Sequence, residues 1–139
     1  MPKCPLHHLD LNVSDLQRSR IFYDRLLTKL GYRRVDYSSP GEPAGFDWLA
    51  PDDLGRFSVG LYPASDGHAY RRQSPGVHHI AFAAPTRLAV DDLYQTLIAM
   101  QATVLDPPRD YPQYEPGYYA VFFLDPDGIK LEYVFTPDE

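Results

Sequence analysis

The chain carries one pattern twice. His7-His8-Leu9-Asp10-Leu11-Asn12-Val13 near its start is answered by His78-His79-Ile80-Ala81-Phe82-Ala83-Ala84, and His79 follows His8 by 71 positions (79 − 8), about half of the 139 residues. Self-similarity at a fixed spacing means that one supersecondary unit is built more than once. The echo runs on: Phe22-Tyr23-Asp24-Arg25-Leu26-Leu27 falls, without a gap, on Leu93-Tyr94-Gln95-Thr96-Leu97-Ile98. Any fold for this chain must therefore solve the same packing problem twice.

What each copy builds follows from periodicity. Leu16, Phe22, Tyr23, Leu26, Leu27 and Leu30 recur at the three-to-four spacing of a helix face, and Val90, Leu93, Tyr94, Leu97, Ile98 and Gln101 trace a similar one. Ser14 with Gln17 three residues on predicts a capping-box start, and Gly31 a stop. Strand-like stretches follow at 33–37, 45–50 and 57–62, then at 103–105, 118–124 and 129–135. Asp125-Pro126-Asp127-Gly128 predicts a turn between the last two. The fold class is α+β: two tandem βαβββ modules whose curved mixed sheets surround a central cavity, with helices outside. Module 1 spans roughly 4–62, a linker rich in Pro, Gly and Ser spans 63–76, and module 2 spans 77–136. The two count as one domain, because a half of this size buries a poor core alone.

Composition excludes several classes. With 44% hydrophobic and 23% charged residues, the chain has none of the signature of disorder. A net charge of −6, and no basic run longer than Arg33-Arg34 or Arg71-Arg72, argue against a nucleic-acid partner. No apolar stretch is long enough to span a bilayer, and Met1-Pro2-Lys3-Cys4 opens no signal-peptide run. Cys4 is the sole cysteine, so no internal disulfide forms; it is read as structural. A cytoplasmic protein is the simplest expectation.

Strand parity then sorts the titratable residues. Alternate side chains share a face, so Leu9, Leu11 and Val13 lie under the helix, and His8, Asp10 and Asn12 look the other way. His79 separates likewise from Ile80 and Phe82, and Glu132 from Leu131, Tyr133 and Phe135. Two imidazoles and a carboxylate suit a catalytic divalent cation and leave positions open for water and substrate. His7 and His78 recur just as faithfully, but parity turns them outward; they are the competing ligands.

These residues resemble the vicinal oxygen chelate superfamily, which includes glyoxalase I, bleomycin-resistance proteins, fosfomycin-resistance thiol transferases and extradiol dioxygenases. The resemblance covers essentially the whole chain. His8-Leu9-Asp10-Leu11-Asn12-Val13-Ser14-Asp15 is similar to the family's opening, and Phe22-Tyr23-Asp24 with Leu30-Gly31-Tyr32 to its first helix and exit. His79-Ile80-Ala81-Phe82 looks like its second opening, and Phe123-Leu124-Asp125-Pro126-Asp127-Gly128-Ile129-Lys130-Leu131-Glu132 like its most specific signature. The resemblance implies metal ligands His8, His79 and Glu132, with Glu132 also catalytic as a proton carrier. It implies one divalent ion (Zn, Fe, Mn or Ni), a small-molecule substrate chelated through neighbouring oxygens, and a homodimer in which the first-strand His can serve the partner's site. Lyase or isomerase chemistry of the glyoxalase kind and extradiol-type dioxygenase chemistry are both implied. The alternative is a bleomycin-resistance-type protein that sequesters a ligand without catalysis.

Departures narrow the choice. Glyoxalase I has a further Glu where this chain has Gly60, with no ligating neighbour along the strand 57–62. Ala120 and Phe122 replace the hydroxyl residues of fosfomycin-resistance enzymes, and the extra catalytic His and Tyr of the extradiol dioxygenases have no clear counterpart. Tyr118 and Phe122 by parity, and Trp48 by its place on the corresponding strand of the first module, are candidate substrate contacts, ordinary core packing being the competing reading for Trp48 and Tyr118. The Pro- and Tyr-rich segment 106–117 is either a lid bearing Tyr111 and Tyr114 or a rigid connection. Arg71 and Arg72 are read as solvated linker residues.

Overall fold

The structure, a computed structural model, describes residues 4–35 and 45–137. The chain divides into two compact units between Ala69 and Tyr70, inside the linker. Each is a βαβββ module. The first runs β1 (His8–Val13), α1 (Leu16–Lys29), β2 (Arg33–Val35), β3 (Phe46–Leu49) and β4 (Ser58–Pro63), with a 3₁₀ turn at Asp52–Leu54. The second runs β5 (His79–Ala83), α2 (Arg87–Ala99), β6 (Thr103–Asp110), β7 (Tyr119–Leu124) and β8 (Lys130–Phe135). The sheet orders are identical, β1-β4-β3-β2 and β5-β8-β7-β6, with the first pair of each parallel and the others antiparallel. No helix among the described residues is long and apolar enough to cross a membrane.

Both helices bury the centre of the stripe that the sequence predicts, but of the α2 stripe Ile98 and Gln101 are exposed and Tyr94 is half-buried. Ser19, Phe22, Tyr23, Leu26 and Leu27 are buried on α1, and Val90, Leu93 and Leu97 on α2. The first cap sits one residue later than expected. Asp15, in extended backbone, accepts from Arg18 N–H at 3.0 Å, while Ser14 Oγ takes a guanidinium N–H of Arg18 instead. Thr86 caps α2 through Ala89 N–H at 3.0 Å. Both helices end in a Schellman motif: Gly31 N–H to Thr28 O and Tyr32 N–H to Leu27 O, then Gln101 N–H to Ile98 O and Ala102 N–H to Leu97 O. Gly31 lies at φ +90, and the matching position in α2 holds Gln101 at φ +57. The caps Asp15 and Thr86 are 71 apart and the stops Gly31 and Gln101 are 70 apart, so the ungapped echo loses one residue inside α2, which has 13 residues against 14.

Two strand readings change. The stretch 33–37 is a strand only to Val35 within the described residues; Asp36 and Tyr37, like Pro40 and Pro43, lie outside them. The strand expected at 103–105 runs on to Asp110 through Pro107 and Pro108. It can do so because β6 is an edge strand, where a missing N–H costs no ladder bond, and its pairing slips between Val104 and Asp106 and again before Arg109. The expected Asp125–Gly128 turn is present: Asp125 Oδ1 accepts from Asp127 N–H at 2.9 Å and Ile129 N–H at 2.8 Å, with Gly128 at φ +87.

Candidate functional site

In the second unit β5, β8 and β7 carry the row that matters. Cross-strand pairing sets Ala81, Glu132 and Phe122 side by side, so they share the sheet face opposite Leu131 and Tyr133. Glu132 is 2% exposed, which for a carboxylate demands partners. It has two. Oε1 lies 3.2 Å from His79 Nε2, and Oε2 accepts the Tyr118 hydroxyl. Burial first, then the hydrogen bond to the carboxylate, push the Tyr118 phenol above its ordinary pKa, so it is a firm proton donor.

His79 has a second partner. Its Nδ1 lies 2.7 Å from His78 Nδ1, with the rings edge to face. Parity turned His78 away from this face, but β5 begins at His79, so His78 is not bound by strand alternation. One ring must carry the shared proton, so Nδ1 of His79 is engaged and Nε2 is the atom that faces the acid. Lost hydration, then the neighbouring His79, Arg72 and Lys130, hold His78 below the usual imidazole pKa.

An aromatic patch adjoins this pair. Tyr111, Ala120 and Phe122 are buried together, with Tyr118 and Val134 against them. Phe122 packs edge-on to Tyr111 at 5.4 Å, lies 6.4 Å from the His79 ring, and carries Lys130 Nζ 4.6 Å above it. The connection after β6 is closed on itself: Tyr111 N–H bonds Tyr118 O at 2.8 Å, Tyr114 N–H bonds Tyr111 O at 3.0 Å, and the Tyr111 and Tyr114 rings stack. The segment is packed on itself in this structure.

In the first unit His8 repeats the same local geometry. It is exposed, its Nδ1 is 2.9 Å from His7 Nδ1, and its Nε2 is 3.8 Å from Asp10 Oδ2. The row equivalent to Ala81-Glu132-Phe122 is Asp10-Gly60-Asp47. Sequence order hides this, because the acids beside Gly60 are cross-strand neighbours. A Cβ at Gly60 would lie 2.3 Å from Asp10 Oδ1 and 2.6 Å from Asp47 Oδ1. The two carboxylates have taken the volume in which a glutamate stem would begin.

Trp48 needs correction. It pairs with Val59, which pairs with Leu9, so it belongs to the helix-facing side of the sheet. It is fully buried, and its indole N–H donates to Asp24 Oδ1 of α1 at 2.9 Å. It packs the first module and walls no ligand face. Tyr118 is on the expected face, but its hydroxyl is spent on Glu132.

An imidazole nitrogen beside a buried carboxylate oxygen is a donor pair that suits a borderline-hard divalent cation. Within the second unit His79 and Glu132 would supply two ligands. Among the described residues no three His, Cys, Asp or Glu side chains gather as a cation site.

Comparison with known proteins agrees with this architecture. The family model of the Glyoxalase/Bleomycin resistance protein/Dioxygenase superfamily matches residues 5–133. The uncharacterized protein YqjT of Bacillus subtilis is 36% identical over 132 residues, covering 93% of this chain and 97% of that protein. A glyoxalase-type structure from Bacillus halodurans is 31% identical with a TM-score of 0.76, covering 95% and 96% of the two chains. A variant of the fosfomycin resistance protein FosX from Listeria monocytogenes was solved with Mn(II) and 1S,2S-dihydroxypropylphosphonic acid. It shares the fold at a TM-score of 0.68 with 18% identity, covering 95% and 92% of the two chains. The chain belongs to the Glyoxalase/Bleomycin resistance protein/Dioxygenase superfamily.

Proposed function

We propose that this protein is a metal-dependent enzyme acting on a small substrate with two neighbouring oxygens. His79 and Glu132 hold one divalent cation, and His8 is the third ligand, from the same chain or from a second copy in a homodimer. The observation that carries this is the buried Glu132 carboxylate set 3.2 Å from His79 Nε2. A fold that needed only packing would place an apolar residue there, since a buried charge is costly to maintain.

A bound cation would supply Lewis-acid polarisation of substrate oxygens. The chain's own groups do the rest. His78 engages His79 Nδ1 and so directs Nε2 at the site. With Oε2 accepting the Tyr118 hydroxyl, Oε1 is the basic edge of Glu132, and it would carry a proton taken from the substrate only while it is not coordinated to the cation. Phe122 and Tyr111 pack as an apolar base beside the His79–Glu132 pair. The reaction classes are glyoxalase-like isomerisation or lyase chemistry, and oxygen insertion if the ion is Fe(II).

The same aromatic patch supports a second reading, a protein that sequesters a planar ligand without turnover. Metal content decides between them. Untagged protein should take up about one equivalent of Zn²⁺, Mn²⁺, Ni²⁺ or anaerobic Fe²⁺. His8→Ala, His79→Ala and Glu132→Ala should each lose it. Full retention in all three variants overturns the ligand assignment, and no uptake by the wild type leaves sequestration.

A further inference from the structure

Glu132 gives its two oxygens to different partners, and one of them is not a candidate ligand. Oε1 faces His79 Nε2, and Oε2 accepts the Tyr118 hydroxyl. Tyr118 is held where it is from several sides. Its ring meets those of Tyr111 and Tyr114 edge to face, at 6.2 Å and 5.2 Å. Its carbonyl accepts from Tyr111 N–H at 2.8 Å, and its own N–H donates to Glu115 O at 3.2 Å. The short turn before β7 thus aims one phenol at one carboxylate oxygen. A carboxylate with both oxygens unengaged can grip a cation through both. One tied to a phenol grips through the other oxygen alone and leaves more positions to incoming oxygens.

We propose that Tyr118 is a positioning residue: it occupies Glu132 Oε2, so that the acid presents a single oxygen, Oε1, to a divalent cation on the His79 side. This rests on the metal-binding reading, and it replaces direct substrate contact as the task of Tyr118.

The test is Tyr118→Phe in the full chain, which keeps the ring and its packing and removes one hydroxyl. Co²⁺ is the probe, because the intensity of its visible bands reports coordination number. Chelator competition gives its affinity, and thermal melting of the metal-free proteins verifies that the fold is kept. The variant should bind Co²⁺ roughly 10–100-fold more weakly, the range for losing a group that orients a ligand. Its visible bands should weaken as the second carboxylate oxygen enters the coordination sphere. In the metal-free protein, the carboxylate stretches assigned to Glu132 by subtraction of Glu132→Gln should shift between wild type and Tyr118→Phe. A variant with unchanged affinity and spectrum overturns the inference and leaves the metal reading standing. Weaker binding with an unchanged spectrum overturns the one-oxygen role. A wild type that takes up no Co²⁺ overturns the metal reading and this inference together.

Discussion

Replacing Glu132 by Gln separates a functional acid from a structural one. The carboxylate is almost wholly buried, and its partners are one phenol and one imidazole. Burying an ion costs several kcal/mol even after relaxation. Gln removes that cost but weakens the Tyr118 bond from a charged to a neutral one, a loss of about 1–2 kcal/mol. The amide keeps an acceptor for Tyr118 and can donate to His79 Nε2, so no buried atom is orphaned. The net expectation for the metal-free protein is a gain of about 1–2 kcal/mol. For a chain of this size that is a rise of roughly 2–8 °C in melting temperature. Adding a divalent ion at a hundred times its dissociation constant should stabilise the wild type by about 2.7 kcal/mol and leave the variant unmoved. The assay is calorimetry after chelation, with and without Mn²⁺ or Zn²⁺. A variant that melts well below the wild type without metal would show that the acid holds the fold together, and would refute the reasoning.

Trp48→Phe should cost about 1–3 kcal/mol in urea unfolding, from the lost Asp24 bond and a partly filled cavity, and leave cation uptake intact; lost uptake would return the indole to the site. Gln101→Gly should raise stability by about 0.5 kcal/mol, because relief of the left-handed backbone outweighs the entropy of glycine in the unfolded chain. Gly31→Ala should lower it by about 1–2 kcal/mol, with a Cβ 3.1 Å from Pro51 Cγ, and like signs in the two melts would sink the pairing of the stops. Tyr119 donates to Asp91 at 2.6 Å, and that bond, then burial, raises its pKa above the ordinary phenol value. Its contribution to stability is therefore complete below the unfolded pKa near 10 and is lost as pH rises through the folded value, so Tyr119→Phe should flatten the alkaline fall of the urea midpoint.

Strand and helix existence were legible because they depend on local period, and the duplication supplied each reading twice. His8, His79 and Glu132 were placed on their faces by alternation alone. What sequence could not show is pairing register. Trp48 was misassigned because its face depends on whether it opposes Val59 or Gly60, which is a tertiary fact. The acids around Gly60 were missed for the same reason: Asp10 and Asp47 meet it from two other strands. The His78–His79 contact is not legible because strand alternation does not govern His78, which lies one residue before β5 begins. The strand through Pro107 and Pro108 was cut short because a proline forbids a central strand but not an edge.

The Asp10-Gly60-Asp47 row has a consequence for anyone hoping to rebuild the missing glutamate. The seat is not vacant: two acids lean into it from either side, so Gly60→Glu would crowd three negative groups into a space sized for one. Asp10 and Asp47 must be neutralised before that residue can be restored. The duplication has drifted so far that its two halves are no longer interchangeable parts, and a graft from one to the other has to move whole rows rather than single residues.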